Sequence, residues 1–364
     1  MRFAERGAFS RELDSAVDAY FAAGPRGRRD VPLMYVKSAI ILGWFVASWV
    51  VLVFVADGVL QGALAAVSLG LSIAGVGMNV QHDANHGAFS RRGWINDLFG
   101  ATLDVMGVCS FIWRPKHNVA HHTFTNVAGV DHDLDFGILA RLSPEQTRRR
   151  WHRFQHIYLW FFYGFLHPKW VFFDDFMVLR SRLIGVHRLP PPGRAKMAGF
   201  VVSKLFFIAW GLVIPAMFHP IWQVLLFHAV AAFTLGATLG TVFQLAHCSG
   251  DAEFPAPDGG RVDTEWAAHQ LETCVDFAPR NPFVTWFVGG LNYQVEHHLF
   301  PKVCHLHYPA LALIVAAVAK RHGLRHRSHA TLAGALGSHF EHLRLLGRRP
   351  RFVRAPLAAH AVAE

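Results

Sequence analysis

A chain of 364 residues that is 52% hydrophobic and only 16% charged, with a mean hydropathy of +0.26, does not read as an ordinary water-soluble globule, where about a quarter of residues carry charge. Its net charge of +10 suits either nucleic acid or a membrane surface, and long uncharged apolar runs decide for the membrane and exclude nucleic acid as the partner. Twenty-four histidines, against 6 tyrosines and 7 methionines, raise the expectation of a metal site.

In chain order, residues 1–37 form a basic arm carrying Arg26, Arg28, Arg29 and Lys37. No signal-peptide pattern is expected, since the first apolar run begins only near Ser38. Ser38 to Ala56 and Val59 to Gln81 are uncharged and of spanning length, and only Asp57 and Gly58 separate them. Residues 87–198 are rich in Lys and Arg. Within them, Leu98 to Trp113 contains Asp104 and is too short to span. Ile157 to Leu179 is aromatic and interrupted by "HPK" and "DD", which suits the membrane interface. Gly199 to Phe218, with Lys204 expected to snorkel toward one end, and Ile221 to Ala246 make a second pair around His219 and Pro220. Residues 38–320 are thus expected to form one membrane domain, followed by a basic tail over 321–364 with Arg344, Arg348, Arg349 and Arg351. The expected fold is an all-α integral membrane protein, with four transmembrane helices in two hairpins beneath a cytoplasmic helical cap. By the positive-inside rule both termini and the middle stretch face the cytoplasm, across the cytoplasmic membrane if the source is bacterial. Cys109, Cys248, Cys274 and Cys304 have no paired spacing and read as reduced thiols.

The histidines map onto that topology. "HDANH" puts His82 and His86 at the cytoplasmic end of the second span, one helical turn apart. "HNVAHHT" contributes His117, His121 and His122; His247 ends the fourth span; His269 stands in "WAAHQ"; "QVEHHLFP" contributes His297 and His298 after Gln294. All fall on one membrane face and are too many for one ion, so two metals are expected. Imidazole suits Zn, Cu, Fe or Ni and not Mg or Ca. A zinc hydrolase of the HExxH type needs Glu where Asp83 stands, and leaves the other clusters unexplained. The remaining histidines, including His132, His152, His156, His167, His187, His219 and His228, read as structural or interfacial.

Taken together, "HDANH", "HNVAHHT" and "QVEHHLFP" resemble the three histidine boxes of the integral-membrane fatty acid desaturases, over about residues 30 to 320. Gln in the third box, "GVDHDLDF" and "FQLAH" are similar to the acyl-lipid front-end branch, which inserts a double bond between an existing one and the carboxyl end. The resemblance implies a di-iron centre on His82, His86, His117, His121, His122, His297 and His298, with His247 matching a ligand the family draws from its fourth span. His269 is the expected ninth. Asp83, Asp131, Asp133, Asp135, Glu296 and Gln294 are candidates for orienting the ligands. Dioxygen would be co-substrate and a fatty acyl lipid or acyl-CoA the substrate. Many relatives carry a fused haem-binding donor with an HPGG core; about 37 residues precede the first span here, and "HPK" at His167 lacks the glycines. Electrons are therefore expected from a separate donor, such as ferredoxin with its reductase. A di-iron hydroxylase or ketolase is the alternative chemistry. A metal transporter would want ligands near the bilayer midplane, where His228 is the main polar group.

Overall fold

A computed structural model describes residues 1–24, 27–256 and 260–348. Arg26 and residues 349–364 of the expected basic arm and tail lie outside them.

Among the described residues, four helices are long and apolar enough to cross a membrane: Pro32–Val55, Val59–Asn85, Arg194–Ala216 and Ile221–His247, with mean hydropathies of 2.4, 1.8, 2.0 and 1.7. Each begins or ends a few residues beyond its uncharged run, because polar residues at a helix terminus continue the hydrogen-bond ladder outside hydrocarbon. The second and fourth spans pack closely because small residues let their backbones approach. A Cβ on Gly70 would lie 2.5 Å from the Ala231 carbonyl. Gly236 and Gly240, at i and i+4, likewise seat the fourth span against Gly164 and Tyr163. Leu69, Ile73, Leu235, Leu239 and Val242 are buried at the centre of the bundle.

The segment between the second and third spans runs as two short helical stretches, Gly93–Val105 and Ser110–His121, bent by 109°. The turn between them lies beside the third span: Trp210 Nε1 donates to Val105 O (2.8 Å) and Phe207 packs under Gly107. Lys204 does not snorkel out. Its ammonium is buried and donates to Gly107 O (2.5 Å), Val171 O (2.8 Å) and Asp175 (2.7 Å). The span begins at Arg194, so Lys204 lies about 15 Å along it. There the turn's carbonyls and Asp175 supply what water would have supplied.

Residues 155–181 form short helices broken at Gly164 and at a π turn over Trp170–Asp174. Phe161, Phe165, Phe172, Phe173, Phe176 and Met177 are exposed along them. At the histidine end, helices Ala8–Ala23, Trp266–Thr273 and Tyr308–Arg321 share a second core. Two parallel ribbons, residues 2–4 with 261–265 and 276–277 with 328–329, tie this layer together, while residues 183–184 pair with 187–188 in a local antiparallel hairpin. The expected tail is ordered as far as residue 348. Helix Leu332–Gly347 packs on Gln155–Tyr163 through Tyr163 Oη···His339 Nε2 (2.7 Å). All four cysteines are buried and unpaired.

Replacing Lys204 by Met strands a buried carboxylate and two carbonyls. Its melting midpoint in detergent should fall, by the equivalent of about 3–5 kcal/mol. Lys204→Met/Asp175→Leu should recover part of that loss; equal midpoints for Lys204→Met and the parent would refute the assignment.

Candidate metal centre

The first two boxes are delivered by π-helical turns. Val76–Gln81 runs into His82, and Pro115–His121 carries His117 and His121. In a π turn the i→i+5 bond puts residues five apart on one side. His117 and His122 therefore meet, with Nε2 atoms 3.2 Å apart, and His82 Nε2 approaches His117 Nε2 equally closely. The third box enters after a turn at Gly289 and Gly290, with φ of 65° and 70°. A Cβ on Gly289 would lie 2.3 Å from Met78 O, so only glycine lets this turn dock on the second span. Asn79 Nδ2 fixes the contact by donating to Phe287 O (2.8 Å).

Eight imidazoles converge. Donor atoms of His82, His86, His117 and His297 lie within 4.8 Å of one another, as do those of His121, His247 and His298, and those of His122, His297 and His298. Ring centroids of His82 and His297 are 4.5 Å apart, those of His122 and His298 4.2 Å, and those of His121 and His247 4.8 Å, so the groups are continuous. All are buried except half-buried His117. Burial, reinforced by neighbouring imidazoles, pushes His117, His122, His297 and His298 well below the ordinary imidazole range. They are neutral, as metal ligands must be.

The outward nitrogens are held, and several inward ones are not. His298 Nδ1 pairs with Gln270 Oε1 (3.0 Å) and Thr125 Oγ1 (3.1 Å), and His297 Nδ1 with Tyr308 Oη (3.3 Å). His121 Nδ1 pairs with Asp131 (3.1 Å) and His247 Nδ1 with Thr273 O (3.4 Å). Burial alone would depress His121, but the Asp131 and Asp133 carboxylates raise it. Nε2 of His86, His297 and His298 is buried without a partner. Orphaned nitrogens of this kind are costly unless something accepts their lone pairs. Metal–nitrogen bonds of 2.0–2.1 Å separate adjacent ligand atoms by about 3.0–3.4 Å, which matches the 3.2 Å pairs. The residues fit a transition metal held by imidazole. Gln294 Oε1 is also buried and unpartnered, and its amide reaches His247.

His269 is not brought into this cluster. It is fully buried, but its ring packs on Phe3 (5.1 Å) and makes none of the imidazole contacts that join the other eight. Of the carboxylates, Asp131 engages a box histidine directly, with Asp133 3.7 Å from the same ring and beside Lys116 (3.4 Å). Asp135 accepts from Gly137 N. Asp83 turns to His305 Nδ1 (2.9 Å), whose Nε2 meets buried Lys37 (2.8 Å). This ties the first box to the first span and to the segment after the third. Glu296 points away to His326 (2.9 Å), which also reaches Asp276 (3.3 Å). Sequence reading missed Thr125, Gln270, Asp276, His305, Tyr308 and His326. Only His305, four residues past the "LFP" of the third box, carried a signal.

A helical chain with four apolar helices of spanning length and a buried polyhistidine pocket at one end of them defines a candidate membrane metalloprotein. The comparisons narrow the class. A family model described as fatty acid desaturase matches residues 57–330. An "sn-1 linoleoyl-lipid 6-desaturase" of Arthrospira platensis is 40% identical, covering 94% of this chain and 93% of that one. A protein of the same name from Synechocystis sp. is 37% identical (96% and 98%), and an "Acyl-lipid (8-3)-desaturase" of Physcomitrium patens is 36% identical (94% and 72%). The chain belongs to the fatty acid desaturase family, whose members generally use iron.

Asp131→Asn keeps the shape and removes the charge behind His121. Iron content and turnover should both fall about 10–100-fold, while Asp135→Asn should keep full iron content; unchanged iron in Asp131→Asn would refute the role. The acid cluster behind the third box predicts a pH dependence. Burial, with the charge of Asp276, pushes Glu296 up to about 8. Burial would lower His326, but its two carboxylates lift it to about 10. Both groups bind protons more tightly folded than unfolded, so their stability is present at low pH and is lost as pH rises to about 8 for Glu296 and to about 10 for His326. Thermal midpoints across pH 7–10 should decline, and His326→Gln should flatten the decline.

Proposed function

We propose that the protein is a front-end acyl-lipid desaturase, inserting a double bond between an existing one and the carboxyl end of an acyl chain. The observation that carries this is the union of eight converging imidazoles with close likeness, over nearly the whole chain, to proteins named as linoleoyl-lipid 6-desaturases. Two irons are the proposed metals. One group of ligands centres on His82, His86, His117 and His297, the other on His121, His247 and His298, with His122 between them. Gln294 stands beside His247 as a weaker oxygen donor or an orienting group.

Bound iron supplies the redox chemistry with dioxygen that an unactivated methylene demands. The chain's residues do the rest. Asp131, Tyr308, Gln270 and Thr125 hold Nδ1 of the box histidines, so that Nε2 faces inward. A cavity of about 1290 Å³, including its open mouth, is lined by His82, His117, His121, His247 and His297 on one side and by Phe136, Leu139, Phe162 and Phe165 on the other. These apolar walls take the acyl chain and exclude water from the reacting carbons.

The spans form two hairpins with the histidine end and both termini in the cytoplasm, a reading supported by the Lys and Arg between and beyond them. Phe161, Phe172 and Phe176 rest in the interface, where an acyl lipid can enter sideways. Residues 1–37, 38–320 and 321–364 keep their proposed roles as arm, membrane domain and tail. Electrons come from a separate acidic carrier such as ferredoxin with its reductase, drawn to the basic cytoplasmic face.

Expression in a host of defined lipid composition, followed by gas chromatography, tests the reading. A new double bond on the carboxyl side of an existing one is expected. A hydroxylated product would favour the oxygenase alternative; unchanged lipids beside a competent donor would overturn both. With purified components, turnover driven by ferredoxin should fall as salt rises, and a flat salt profile would remove the electrostatic part.

A further inference from the structure

The side chains that hold the box histidines from outside are sealed from solvent: Asp131, Thr125, Gln270 and Tyr308 are all buried. Trp266 is different. It is half-buried, and its indole Nε1 donates to the backbone carbonyl of His122 (3.2 Å). One side chain therefore joins the outer layer to a residue of the histidine cluster. It is pinned in place, because Glu265, the residue before it, accepts from Gly7 N and Ser10 Oγ (both 2.6 Å). The residue it reaches serves both halves of the cluster. The His122 ring stacks on that of His298, with centroids 4.2 Å apart, and stands 4.6 Å from that of His297 and 4.7 Å from that of His86. Whatever is delivered at His122 is one ring away from each ligand group. A second aromatic contact runs beside the first: Phe3 stacks on Phe124 (5.6 Å, 14°), two residues beyond His122.

Phe3 and Trp266 adjoin the ribbon of residues 2–4 and 261–265. Arg2 and Arg261 are register partners in it, and both are exposed. Alternation along a strand turns Phe3 and buried Val262 inward and the two arginines outward. Like charges side by side on a ribbon repel, and an anionic surface laid over them relieves that repulsion. Asp263, the next residue on the same face, is exposed and offsets part of their charge.

We propose that electrons enter the protein here: an acidic iron–sulfur carrier docks on the ribbon over Arg2 and Arg261, and its electron crosses through the Trp266 indole and its hydrogen bond to His122. The inference rests on the reading of the protein as a desaturase fed by a separate donor, and it gives that donor a place. Each docking event moves one electron. The carrier's cluster is oxidised by one, and one ferric ion at the histidines becomes ferrous. Two carriers serve each double bond, because two electrons, two protons and the two hydrogens of the acyl chain together reduce dioxygen to two waters. Trp266 undergoes no net change. It positions an aromatic bridge in a gap that sealed side chains would otherwise leave wide, and electron tunnelling falls off exponentially with such a gap.

The test uses the iron-loaded full chain in lipid nanodiscs, with ferredoxin as the probe. Three quantities are read: ferredoxin affinity, iron content, and the rate at which ferredoxin or dithionite reduces the bound iron. The double variant Arg2→Glu/Arg261→Glu should weaken binding about tenfold or more, and Asp263→Asn should tighten it about two- to fivefold. Arg150→Glu, an exposed charge away from the ribbon, should bind as the parent does. Trp266→Phe keeps a ring and loses the N–H. It should retain its iron and its ferredoxin affinity, and accept electrons from ferredoxin several-fold more slowly. Dithionite, a small reagent that needs no docking surface, should reduce it at the parental rate. Parental binding in Arg2→Glu/Arg261→Glu, an equal loss in Arg150→Glu, or parental reduction by ferredoxin in Trp266→Phe overturns the proposal. So does a parallel slowing with dithionite, which marks Trp266 as structural only. Should Trp266→Phe lose its iron, the exposed arginines decide by themselves. A parent that takes electrons from ferredoxin yet makes no double bond defeats the desaturase reading and leaves the entry surface standing.

Discussion

An imidazole can hold a metal only if it is neutral, shielded from water and turned with a free lone pair inward, and much of the structure around the eight converging histidines answers that demand. Burial secures neutrality at His117, His122, His297 and His298. It also makes every unheld nitrogen expensive. Each partner on the outer side, whether Asp131, Tyr308, Gln270 or Thr273 O, therefore does two jobs: it satisfies one nitrogen and orients the other. The partners come from three separate segments, so those segments must be brought together before the ligands can point inward. The small ribbons and the helices over 8–23, 266–273 and 308–321 provide that assembly.

Much of this was legible in the sequence. Charge-free runs mark the spans because hydrocarbon tolerates no unpaired charge, and their ends erred only by a few residues. The three boxes and His247 stood out because histidine is scarce in apolar helices, and the structure gathers all eight. His269 read alike in the sequence, but its ring packs on Phe3, outside the ring contacts that join the other eight, because one buried histidine carries no geometric information without a neighbour. The orienting residues were less legible. Asp83 and Glu296 adjoin ligands in the chain, yet on a helix adjacent residues face different ways, and both turn outward to His305 and His326. Thr125 and Gln270 reach His298 from residues far away in sequence, a relation that no local pattern records.

The spacing of the second box shows how a local pattern can be right for an incomplete reason. Positions i, i+4 and i+5 share a broad face on an α-helix, which suffices to group His117, His121 and His122. The π turn sharpens the grouping. It brings the i and i+5 rings to one metal-sized separation and sends His121 toward His247 and His298. Pro115 stands where the α winding of Ser110–Arg114 gives way to the π turn, and its missing N–H interrupts the α ladder there.

The buried Lys204–Asp175 pair bears on how the chain enters the membrane. A lysine at the centre of a lone helix resists insertion by roughly 2.5–3.5 kcal/mol. Asp175 and the carbonyls of Gly107 and Val171 all precede the third span in the chain, so they leave the ribosome first. By the time Lys204 emerges, its three acceptors already exist. The third span is thus built to be threaded against a waiting partner, and vectorial synthesis from the N-terminus becomes part of what lets this helix tolerate its charge.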